Sequence, residues 1–78
     1  MPLSDPPIVG RPAVLWHLTD PTHQRMYCEV GEIPDGRVRV RIVRGTEEDR
    51  SETFPDAATA IRWAFDVQRA MVRDGWSA

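Results

Sequence analysis

Apolar and polar positions alternate with a period of two along the first half of the chain, and the period changes to about 3.6 after residue 56. The clearest alternation is RVRVRIVR at residues 37–44, where Val38, Val40 and Ile42 oppose Arg37, Arg39 and Arg41. Upstream, Met26, Cys28 and Val30 alternate with Arg25, Tyr27 and Glu29, which predicts a half-buried strand over residues 24–30. Between the two lies Ile33-Pro34-Asp35-Gly36. Proline presets φ for the first corner of a type I turn, and glycine supplies the left-handed residue of a G1 bulge. A hairpin closed by this turn sets Ile33 opposite Arg37, Val30 opposite Val40, Cys28 opposite Ile42 and Glu29 opposite Arg41. Apolar then meets apolar and acid meets base.

Two further strands complete the sheet. AVLWHLT at residues 13–19 is rich in β-branched and aromatic types and stops at Asp20-Pro21, which predicts Val14, Trp16 and Leu18 on the inward face and Leu15 on the other. Residues 45–49 (GTEED) read as an acidic turn, followed by a short fourth strand over residues 50–54. Phe54-Pro55-Asp56 marks the change of period, with Asp56 the N-cap of a helix over residues 57–74. Ala57, Ala60, Ile61, Ala64, Val67 and Met71 form its apolar stripe, with Phe65 and Val72 on one flank and Trp63 on the other. Gly75 falls at C′ and Trp76 at C″, where it can pack back near Met71. The expected fold is α+β: a four-stranded antiparallel meander with one C-terminal helix packed on one face, in the order β-β-β-β-α. Residues 1–12, with four of the seven prolines, read as a flexible arm preceding a single domain over residues 13–78.

Composition narrows the function classes. At 78 residues there is room for one core, and stability at this size benefits from a supplement. Cys28 is the sole cysteine, so that supplement is not an intrachain disulfide, and association with a second copy is the expected one. A lone thiol, with neither signal peptide nor apolar run of membrane-spanning length, points to a cytoplasmic protein without a membrane partner. His17, His23 and Cys28 match no zinc spacing, the acids fall in turns, at the helix cap and on solvent faces, and glycine is too sparse for a phosphate loop. No enzyme, metal or cofactor is therefore expected.

All ten basic residues are arginine. Arg37, Arg39 and Arg41, with Arg25 and Tyr27 beside them, place guanidinium groups and a stacking ring on one sheet face, a combination that binds single-stranded nucleic acid. The competing expectation is a solvated face on which Glu29 and Glu52 pair with the arginines, in a chain whose net charge of −2 disfavours polyanions. Leu15 and Tyr27 on that face, and Trp63 on the helix flank, are the candidate contacts of a homodimer. Two functions follow: a non-enzymatic interaction or structural module that self-associates, and a weak single-strand binder using the arginine face.

Residues 27–76 also resemble a class of short, uncharacterised proteobacterial proteins of the same layout. The likeness lies in the strand pair, Phe54-Pro55-Asp56, Ala60, Trp63-Ala64 and the closing Gly75-Trp76. The strand and helix order is similar to Whirly-type single-strand DNA-binding modules, which act as oligomers. The first resemblance implies the fold and no activity, and the second is of topology alone.

Overall fold

A computed structural model describes residues 8–78. Strands β1 (Ala13–Thr19), β2 (Arg25–Glu32), β3 (Val38–Arg44) and β4 (Glu47–Phe54) form one antiparallel sheet in the order β1-β2-β3-β4, and helix α1 (Ala57–Arg73) packs across one face. This is the α+β meander and helix that the periodicity predicts.

The β2–β3 hairpin has the expected register, pairing Cys28 with Ile42, Glu29 with Arg41 and Val30 with Val40. Its turn is held by Ile33 N–H to the Arg37 carbonyl (2.9 Å) and Gly36 N–H to the Ile33 carbonyl (2.9 Å), with Gly36 at φ 89°. The β1–β2 turn repeats that geometry. Asp20 N–H donates to the Gln24 carbonyl (3.0 Å) and His23 N–H to the Asp20 carbonyl (3.0 Å), with proline again at the first corner. His23 takes the place of the glycine, at φ 68°. The Asp20 carboxylate offsets some of that strain by accepting from Thr22 N–H, Thr22 Oγ1 and Gln24 N–H.

Three expectations are corrected. First, Val14 is 55% exposed instead of inward, and Leu15 is half-buried against the core instead of outward. A bulge between Val14 and Trp16 is the reason: it adds one residue to β1 and exchanges the faces on its N-terminal side. Second, the acidic turn is only Gly45-Thr46, and the fourth strand begins at Glu47. Gly45 at φ 63° closes a two-residue turn, and cross-strand pairing with arginines outweighs the low strand propensity of Glu47 and Glu48. Third, Ala57 and Ile61 are exposed, so the sheet-facing stripe is Ala60, Ala64 and Val67 with Met71.

The core lies between sheet and helix: Trp16, Leu18, Met26, Cys28, Val40 and Ile42 from the strands meet Ala60, Ala64 and Val67. Alanine lets the helix come close. The Trp16 indole Nε1–H consequently reaches the Ala64 carbonyl at 2.9 Å, so a buried donor is satisfied by helix backbone. At one end Trp63 packs against Phe54 in a tilted ring contact, centroids 5.4 Å apart and planes inclined at 47°. That contact turns Trp63 toward the sheet and Ile61 and Val72 away from it. The Asp56 carboxylate caps the helix by accepting from Thr59 N–H (2.8 Å). At the other end Trp76 N–H returns to the Met71 carbonyl and Gly75 N–H to the Val72 carbonyl (both 3.1 Å), a Schellman motif with Gly75 at φ 107°. Among the described residues no helix is long and apolar enough to cross a membrane.

Two stability predictions follow from these contacts. Ala64→Leu will force the helix off Trp16 and cost about 1–3 kcal/mol in urea denaturation, whereas Asp66→Ala, at an exposed surface pair, will shift stability by no more than about 0.5 kcal/mol. His23→Gly will raise stability by about 0.5–1 kcal/mol, since glycine adopts the left-handed corner without the Cβ penalty; an unchanged or lowered urea midpoint would show that the Asp20 network had already removed the strain.

Candidate functional site

The face of the sheet opposite the helix carries the residues that the sequence singles out, and the structure divides it in two. In its centre, Arg39 and Arg41 project from β3 beside Glu29 of β2 and Glu48 of β4. Arg41 donates to Glu29 and, through Nε, to Glu48 at 2.8 Å. Arg39 donates to the same Glu48 carboxylate at 3.0 Å and to Ser51 Oγ at 2.8 Å. The hydrogen bond to Glu48, assisted by the charges of Glu29 and Glu48, raises the Arg41 pKa against its partial burial. Glu52 lies opposite the inward Val40 and takes no part. Glu48 occupies its place because Asp49 forms a bulge in β4, leaving Glu48 opposite Val43. Arg37 is not in the row: it sits in the turn before β3 and pairs with Asp35 at 2.7 Å.

Gly31 adds a feature that the periodicity missed. A Cβ built there would overlap Ile8 Cγ2, so the absent side chain makes a seat for Ile8 on this face, beside Arg39 on β3. Val9 N–H donates to the Glu32 carbonyl at 2.7 Å and holds the segment in place. The arm expected over residues 1–12 is thus tied to the sheet at its described part, while residues 1–7 lie outside the described residues. A glycine inside an otherwise regular strand is the signal that could have found this seat.

The other half of the face is open. Val14, His17, Arg25 and Tyr27 line a groove that runs to Ala78. Tyr27 stands opposite His17 on β1 and Val43 on β3. Val14 and His17 are exposed, and Tyr27 is half-buried. The Arg25 carbonyl accepts from Gly45 N–H at 2.7 Å, while its guanidinium is in no hydrogen bond or ion pair among the described residues. Of the five candidate nucleic-acid contacts, the structure therefore brings Arg25 and Tyr27 together and commits Arg37, Arg39 and Arg41 to carboxylates. Of the three candidate dimer contacts, only Tyr27 lies on this face. Leu15 and Trp63 pack toward the core.

The soft ligands are dispersed: Cys28 is in the core, His17 on the outer face and His23 in a turn. No group of three or more histidine, cysteine or acidic side chains among the described residues could hold a metal ion. Set against protein-family models, curated proteins and solved structures, the chain matches none.

Burial, with the adjacent Glu29 charge, pushes the Cys28 thiol from 9.0 up to about 12. The unfolded thiol ionises near 9 while the folded one keeps its proton, so stability falls with rising pH between these values, by up to about 1.4 kcal/mol per pH unit. Urea denaturation from about pH 8 to pH 10.5 will show this slope in the wild type relative to Cys28→Ala, and a thiol reagent will label Cys28 only as the chain unfolds. Fast stoichiometric labelling of the native protein would contradict the buried placement.

Proposed function

We propose that the protein is a non-enzymatic interaction module that associates with a second copy of itself through the open half of the outer sheet face. The observation that carries this reading is the contrast on that face. Arg39 and Arg41 are neutralised by Glu29 and Glu48, whereas Val14, 55% exposed, and the Tyr27 ring line a groove that no other part of the described chain fills. In so short a chain, covering that groove adds apolar burial that the single core lacks. A two-fold contact uses one patch twice, and Val14 and Tyr27 of one copy then face those of the other.

Both sheet edges favour contact through a face over strand addition. Strand β4 carries Glu47, Glu48, Asp49 and Arg50 with a bulge, and β1 carries a bulge and has Thr19 bonded in both directions to Ser77. The same geometry argues against the single-strand reading, because a phosphate would have to displace Glu29 or Glu48 to reach Arg39 or Arg41, leaving Arg25 as the available cation beside Tyr27 among the described residues.

Sedimentation at several concentrations tests the proposal. The wild type is expected to dimerise by ~100 μM, and Tyr27→Asp and Val14→Asp to shift it to monomer with a thermal stability that no longer depends on concentration. A wild-type monomer throughout would end the proposal. A dimer indifferent to both substitutions would remove the groove from it.

A further inference from the structure

The sheet leaves Ile61 and Val72 of the helix exposed, and between them stand Phe65, whose inner side packs against the core, and the polar Gln68. Ile61, Phe65, Gln68 and Val72 succeed one another at spacings of four, three and four residues, the a/d seam of a two-helix contact. Ile61 is 38% and Val72 50% exposed, while Phe65 and Gln68 are half-buried. A concavity between Gln68, Arg69, Val72 and Arg73 opens along the C-terminal half of this line. The seam lies on the helix layer, away from the groove at Tyr27, and stands independently of self-association there.

Charge decides what can cover it. Arg62, Arg69 and Arg73 each directly follow a seam residue, so they line the same solvent-side border, with Asp66 between them. Asp66 is engaged by Arg69. Arg62 and Arg73 are in no ion pair among the described residues, although Arg62 acts through space on the Asp56 cap. An antiparallel second copy would bring Arg62 and Arg69 of the two chains onto one flank and set like charges together as water is excluded. A foreign helix with carboxylates beside its apolar line meets the same border with attraction. We propose that the Ile61–Phe65–Gln68–Val72 seam docks an amphipathic helix of another protein, whose apolar line is bordered by acidic residues, by the helix-in-groove mode.

The probe is a fluorescently labelled peptide of about three heptads with leucine at a and d and glutamate at e and g, beside the same peptide with lysine for glutamate. The acidic peptide is expected to bind the full chain with a Kd of tens of micromolar. Its affinity should fall roughly tenfold in Val72→Glu and severalfold in Arg62→Glu and in Arg73→Glu. Position 72 is already half exposed, and circular dichroism of Val72→Glu will confirm that its fold is kept. The lysine peptide should not bind. No binding of the acidic peptide at ~200 μM, equal binding of both peptides, or an affinity untouched by Val72→Glu overturns the proposal. Vesicles rich in phosphatidylserine that bind the chain while the acidic peptide does not would overturn it too, and would assign the strip to an anionic membrane surface.

Discussion

The close approach of the helix to Trp16 is the constraint on which the other contacts depend. An indole in the middle of a small core supplies apolar area that few other side chains match, and it brings an N–H that must be satisfied. The partner is the Ala64 carbonyl, and it is within reach only because Ala60 and Ala64 keep the helix low over the strands. Once that height is set, both ends follow. Phe54 meets Trp63 where the chain enters the helix, and Trp76 turns back onto the core where it leaves. A larger residue at position 64 would lift the helix and loosen all three aromatic contacts together.

One helix covers one face, so the other face has to settle its own polar groups. It does so by matching charges across three strands. Glu29, Arg41, Glu48 and Arg39 form a continuous chain of charge-assisted hydrogen bonds, and Arg39 also donates to Ser51. Individually such surface pairs contribute about 0–1 kcal/mol. Their collective effect is on specificity: guanidinium groups whose N–H donors already bond carboxylates offer little to an incoming phosphate. At the apolar end of the same face Val14 stays exposed and Tyr27 half-buried along an open groove, which is why the proposed contact with a second copy is placed there. The helix flank has the opposite character, with exposed Ile61 and Val72 bordered by Arg62 and Arg73, which are in no ion pair among the described residues. The partners proposed for the two surfaces differ accordingly, a copy of the same patch for one and an acidic helix for the other.

Much of this architecture was legible in local residue order. Pro34, Asp35 and Gly36 dictate a turn type, the turn dictates the register, and alternation along residues 26–30 and 38–42 assigns faces consistently on both strands. The helix limits follow from Asp56 and Gly75 for equally local reasons: one carboxylate accepts a free amide, and one residue lacks the Cβ that a left-handed corner disfavours. Alternation and capping depend on neighbours a few positions away, so they survive translation into a linear string.

The bulges, the seat of Ile8 and the partners of the arginines did not survive it. A bulge in β1 reverses the facing of Val14 and Leu15 without altering any residue type, and a bulge in β4 moves Glu48 rather than Glu52 to the arginine row. His23 in a glycine position is tolerated through the bonds that Asp20 makes around it, which its identity alone does not reveal. Sequence by itself determined the order of elements, the hairpin register and the inner part of the helix stripe (Ala60, Ala64, Val67 and Met71, though not Ala57 or Ile61), because each rests on periodicity or on a turn of four residues. Only the tertiary structure decided which arginines are engaged and which apolar residues stay open, because those depend on where separate strands place their side chains across the sheet.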